Sequence, residues 1–137
     1  MFNRIAVVVF MMFALQACSD LPPKEVAEQI AVDYYHALAQ GDTSRALHMF
    51  SRKQRPGKWA EHLKVTREAL GKPTAYQLKS VVTNSPYRGR FYTLDFNAKY
   101  SGGQTASETL TLYNNGDDQR VVIVSHQVVS QSFKSPL

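Results

Sequence analysis

The sequence predicts an α+β fold in which N-terminal helices pack on a curved antiparallel sheet of about four strands. Three observations predict it. Apolar residues recur at helical spacing between Lys24 and Leu70. The period changes to two after Pro73. Clusters of turn-forming residues then separate the alternating runs.

The first helix is expected from Lys24 to Gln40, after Pro22-Pro23. Val26, Ile30, Tyr34 and Leu38 form a stripe, with Ala27, Ala31 and Ala37 beside it. Glu25 and Glu28 lie near its positive end, and Gly41 suits its C-terminus. Asp42 is placed to cap a second helix from Thr43 to Phe50. Ser51 to Gly57 is polar, basic and broken by Pro-Gly, so it reads as a loop. A third helix follows from Lys58 to Leu70, with Trp59, Leu63, Thr66 and Leu70 on one face. Gly71 and Pro73 end it.

The strands follow. In the first, Tyr76, Leu78, Ser80 and Val82 share one face. In the second, Tyr92, Leu94, Phe96, Ala98 and Tyr100 alternate with Phe91, Thr93, Asp95, Asn97 and Lys99. The third runs from Thr105 to Tyr113, with Ala106, Glu108, Leu110 and Leu112 on one side. Asn114 to Asp118 forms a hairpin turn. The last strand, Gln119 to Val129, contains the run Val121 to Val124, which calls for a central or doubly covered position. His126 shares parity with Val122, Val124 and Val128. The folded domain is expected over residues 24–130, and residues 131–137 read as a tail.

The stretch from Tyr35 to Ala46 (YYHALAQGDTSRA over 34–46) resembles the opening helix of the nuclear-transport-factor-2-like, or cystatin-like, superfamily. Trp59, Leu63, Leu70 and Gly71 match its later helix. The resemblance implies a cone in which a curved sheet wraps the first helix. It does not imply one function, because this fold carries many.

The N-terminus reads as a leader. Arg4 precedes an uncharged apolar run from Ile5 to Leu15, which is too short to span a bilayer as a helix. Leu15-Gln16-Ala17-Cys18 then resembles the lipobox of bacterial lipoproteins. The resemblance implies a signal peptide over residues 1–17, cleavage between Ala17 and Cys18, and lipid on the Cys18 sulfur. Ser19 stands directly after the cysteine and Asp20 follows it. By the sorting rule of such lipoproteins this implies the outer membrane, facing the periplasm. Residues 18–23 form a short tether, and five extended residues reach about 17 Å.

Composition is that of a folded chain, 44% hydrophobic and 20% charged. One cysteine excludes an internal disulfide. Without Arg4 the chain keeps 15 basic and 11 acidic side chains. From Arg45 to Lys72 there are eight Lys or Arg and only Glu61 and Glu68. Arg52, Lys53, Arg55 and Lys58 cluster at the Pro56-Gly57 bend and are candidates for binding an anionic surface. An exported chain gives no reason to expect nucleic acid.

Enzymes of the superfamily carry an acid–base group inside the cone, so Tyr34, Tyr35, Asp95, Glu108 and His126 are the residues to weigh. Asp95 points away from the apolar face, whereas Glu108 and His126 share the inner faces of consecutive strands. Tyr92, Phe96 and Tyr100 join them as lining for an apolar pocket. His36, His48, His62 and His126 lack metal-ligand spacing, and no GxSxG or phosphate loop occurs. No cofactor is expected. The favoured reading is a non-enzymatic lipoprotein that is membrane-held and binds a protein partner or an anionic envelope component. The alternatives are a cone-pocket protein for a small apolar ligand and a subunit of an envelope machine. Oligomeric state is left open. Cys18→Ala is expected to leave unprocessed precursor without lipid, checked by palmitate labelling and electrophoretic mobility.

Overall fold

The computed structural model of the protein describes residues 21–136. The expected signal peptide, Cys18 and the first residues of the expected tether lie outside the described residues. Three helices come first: α1 (Lys24–Gln40), α2 (Thr43–His48) and α3 (Pro56–Leu70). Five strands follow: β1 (Pro73–Asn84), β2 (Arg90–Tyr100), β3 (Thr105–Asn114), β4 (Val122–Val129) and β5 (Lys134–Pro136). The strands form one antiparallel meander in chain order, with the helices packed against the curved sheet.

The helix boundaries have local causes. At the end of α1, Gly41 takes the left-handed conformation (φ 74°), and its cap N–H bonds to Ala37 and Leu38 carbonyls. The Asp42 carboxylate accepts the Arg45 N–H at 3.0 Å and starts α2. This helix stops at His48, two residues before the expected Phe50. The backbone there changes partner: Ile123 N–H donates to Met49 O and Ser51 N–H to Ile123 O, both at 2.8 Å. Helix α3 begins two residues earlier than expected, because Pro56 occupies its first turn, where a missing N–H costs nothing.

The buried stripe of α1 is rotated from its expected position. Ala27, Ala31, Tyr34, Tyr35 and Ala37 are buried, while Val26 is exposed. Alanines let the sheet approach, and the two tyrosines then fill the concavity. Tyr35 stacks on Tyr76 at 5.0 Å and packs on Phe96 at 4.9 Å. Tyr34 meets Phe50 edge to face at 5.5 Å. In α3 the predicted face of Trp59, Leu63, Thr66 and Leu70 is buried.

Two bulges correct the strand parities. In β1 the register shifts between Leu78 and Ser80, so Val81 joins Tyr76 on the core side and Val82 turns outward, while Leu78 stays opposite Phe96 but is exposed on this edge strand. In β4, Thr111 faces Ser125 and Leu112 faces Ile123, which leaves Val124 as the extra residue. His126 and Val128 therefore share the inner side with Val121 and Ile123, not with Val122 and Val124. The inner face of β2, from Tyr92 to Tyr100, is buried as the alternation required. The expected tail is also corrected. Ser130 N–H donates to Phe133 O at 2.7 Å, the chain reverses, and β5 pairs with the end of β4.

The two hairpin turns β1–β2 and β3–β4 touch. Gly116 has φ 82°, and a Cβ there would lie 2.0 Å from the Arg88 carbonyl oxygen. Gly57, in the first turn of α3, has nothing within 4 Å of such a Cβ. Gly116→Ala is expected to destabilise by about 2 kcal/mol or more. Gly57→Ala should instead be neutral or stabilising by up to about 1 kcal/mol. Urea midpoints of the two variants check this pair.

Candidate functional site

The site grows from one carboxylate. Glu108 sits mid-way along β3 on the inner face and is 1% exposed. An ionised carboxylate at such depth must be surrounded by donors. Tyr35 of α1 donates to Glu108 Oε2 at 2.6 Å, and Tyr100 at the end of β2 donates to Oε1. His126 of β4 donates from Nε2 to Oε2 at 2.7 Å. His126 stands opposite Leu110 and Glu108 opposite Val128, so the two are diagonal neighbours across the β3–β4 ladder.

The network continues outward from the other nitrogen. His126 Nδ1 lies 2.9 Å from Tyr34 Oη and 3.0 Å from His62 Nε2. His62 Nδ1 reaches Ser135 Oγ on β5 at 2.7 Å. Two imidazole nitrogens 3.0 Å apart can hold only one proton between them. Protonating both rings would bring two cations together inside the core.

The acidities follow from this geometry. Burial pushes the Glu108 carboxyl up, but the hydrogen bonds and charge of His126 and the Tyr100 and Tyr35 hydroxyls outweigh it. The carboxyl ends below its ordinary value. Burial, then the neighbouring His126, pushes His62 down to about 4, against the pull of Glu108. Burial, with the Glu108 charge, raises the Tyr34, Tyr35 and Tyr100 hydroxyls, so all three act as donors.

Access to this network is narrow. His126 and Tyr100 lie at the base of a partly open crevice of about 30 Å³, walled by Leu63 and Thr66 and reaching the surface beside Gly41, Arg67 and Lys72. That volume suits a water molecule or two, and it lies far below a small-molecule pocket. Thr66 Oγ1 is buried on its wall without a hydrogen-bond partner.

The structure brings Tyr100, Glu108 and His126 together, with Phe96 packed against Tyr35. Tyr92 is elsewhere. Its hydroxyl donates to the Pro22 carbonyl at the opposite end of β2, beside Arg90, whose Nη1 also reaches Pro22 O at 3.3 Å. Asp95 is on the outer face, accepting from Ser80 at 2.8 Å and Thr109 at 2.7 Å. Cys18 and Ala17 lie outside the described residues. Arg52, Lys53, Arg55 and Lys58 are exposed. Arg52 and Lys53 face Tyr113, Asn115, Asp118 and Arg120 across a surface hollow, which places the basic loop beside the β3–β4 turn. Among the described residues, no three or more His, Cys, Asp or Glu converge as metal ligands.

Sequence reasoning missed His62 and Ser135. His62 lies three residues after Trp59 and four before Thr66, on the buried face of α3, and that spacing was the available signal. Ser135 had none, because its place depends on the reversal at Ser130.

No family model matches this chain, and no curated protein matches it. Among solved structures it is similar to Bd1075 of Bdellovibrio bacteriovorus, with a TM-score of 0.52 and 9% identity over 82% of this chain. The chain spans 40% of that protein's length. At this identity the likeness is one of α+β fold alone.

Two outcomes are expected. Glu108→Gln offers one acceptor oxygen where the carboxylate takes three bonds, and should cost about 3 kcal/mol in urea unfolding. His62 stays neutral in the fold down to about pH 4, while in the unfolded chain it titrates near 6.5. The unfolded state therefore binds the extra proton between those values, and stability should fall as pH drops from about 6.5 to about 4. His62→Gln should flatten that slope, read from denaturation midpoints at several pH values.

Proposed function

We propose that this chain is a lipid-anchored envelope protein, held by Cys18 to the periplasmic face of the outer membrane. Its nuclear-transport-factor-2-like cone serves as a non-enzymatic binding or accessory module. The partner is an anionic envelope component or another envelope protein.

The observation that carries this reading is the closed interior. Both Glu108 oxygens and both His126 nitrogens are committed to protein partners. A general acid or base must come within about 3 Å of the proton it moves. The adjoining space of about 30 Å³ admits no substrate of ordinary size. Tyr34, Tyr35 and Tyr100 are buried in the concavity with their hydroxyls bonded there. Binding therefore falls to the surface.

The surface feature that favours an anionic partner is the loop before α3 together with the first turn of that helix. Arg52, Lys53, Arg55 and Lys58 are exposed, and none forms an ion pair among the described residues. Each such side chain contributes about 1 kcal/mol near an anionic membrane. A non-acylated form of residues 19–137 is expected to sediment with phosphatidylglycerol vesicles. Reversing all four charges to Glu should abolish this. Unchanged sedimentation would sink the anionic-surface role, and a stoichiometric cross-link in cells would assign the loop to a protein partner.

A further inference from the structure

The described chain enters the fold at one end of the sheet. Pro22 is buried there, held through its carbonyl by Tyr92 and Arg90. The β1–β2 turn, the β3–β4 turn and the loop before α3 lie at this same end. Leu21, Tyr87, Arg88 and Asp117 border one surface hollow, and Arg52, Lys53 and Asp118 border the next. Pro22 stands four positions after Cys18, a span of at most about 14 Å. A lipid on Cys18 would bring this end of the domain to the bilayer.

The charge of the domain is gathered at this end. Residues 21–136 hold 15 basic and 10 acidic side chains. The segments 21–25, 49–58, 84–91 and 113–122 hold eight of the basic ones: the four of the loop with Lys24, Arg88, Arg90 and Arg120. Their acids are Glu25, Asp117 and Asp118. The remaining seven basic and seven acidic side chains cancel. The net charge of +5 over residues 21–136 therefore belongs to this end, and Asp20 beside it brings the excess to +4.

One large side chain stands out from it. Tyr87 is fully exposed, at 103% relative accessibility, and makes no hydrogen bond or ring contact with a described residue. Its backbone is in the left-handed region, with φ 57°, which a bulky residue seldom adopts. Pro86 and Arg88 flank it at the tip of the β1–β2 turn. A tyrosine beside arginine suits the headgroup level of a membrane, where the ring is apolar and the hydroxyl stays wet.

We infer that the tether end of the domain is a bilayer-docking face, with Tyr87 as its interfacial side chain and the surrounding basic residues matched to anionic lipid headgroups. This rests on the lipid anchor proposed above and adds a second contact to it. The domain then lies against the membrane in one orientation, with α1 leading away from the surface and Gly41 at the far side.

The test uses the lipidated protein, purified from membranes and reconstituted into vesicles with acyl-chain-brominated lipid as quencher. Trp59 is buried, so the parent protein supplies the background. Tyr87→Trp is expected to show a blue shift and strong bromolipid quenching in phosphatidylglycerol-containing vesicles. Charge reversal of Arg52, Lys53 and Arg55 should weaken docking about fivefold per charge removed. Equal quenching in purely zwitterionic vesicles would overturn the match to anionic headgroups. An unquenched, solvent-like Trp in protein that remains vesicle-bound would overturn the docking face while leaving the anchor intact. Protein that neither labels with palmitate nor stays with vesicles would overturn both. A protein cross-linked at position 87 in cells, with no lipid quenching, would assign this face to that protein instead.

Discussion

A carboxylate buried in an apolar core has few solutions. It must be given donors from several directions, and those donors must themselves be held in place. Glu108 meets that demand with a hydroxyl from α1, a hydroxyl from β2 and an imidazole from β4. His62 of α3 and Ser135 of β5 then complete the outer side of the imidazole. Three elements converge on one residue of β3, and two more are joined to it through His126. The first helix, the third helix and the last strand are thus tied to the sheet by geometry that apolar packing alone would leave adjustable.

The same arrangement accounts for the closed interior. Tyr34 and Tyr35 occupy the concavity because their hydroxyls are needed at its centre, and their rings pack on Phe50, Tyr76 and Phe96. Glu108 and His126 have both carboxylate oxygens and both ring nitrogens bonded within the protein. Two regions stand out. One is the polar centre, satisfied from within. The other is the end where the described chain enters, where Pro22 is fixed, two turns abut, and the positive charge collects.

Much of this was legible from residue order. The period-two pattern of β2 and β3 placed Glu108 and Tyr100 inward and Asp95 outward, because side chains alternate across a strand whatever the strand pairs with. The Gly41-Asp42 step and Gly71 marked helix ends through local backbone preferences. His126 was placed inward on a parity that the Val124 bulge then altered, and the expectation survived because the bulge lies before it. Val82 had no such luck, since the β1 bulge before it reversed its side. His62 went unmarked although its helical face was identifiable.

By itself the sequence determined the order of helices and strands, the inward side of the central strands, and the concentration of positive charge before α3. These depend on periodicity, capping and composition, which are properties of neighbouring residues. Only the tertiary structure decided which polar groups meet, that β5 exists, and that the basic loop, the Tyr87 turn and the tether share one end. Those facts depend on bulges, chain reversal and contacts between residues up to 92 positions apart, such as Tyr34 and His126. No local pattern encodes such distances, because each is set by how the whole sheet curves around α1.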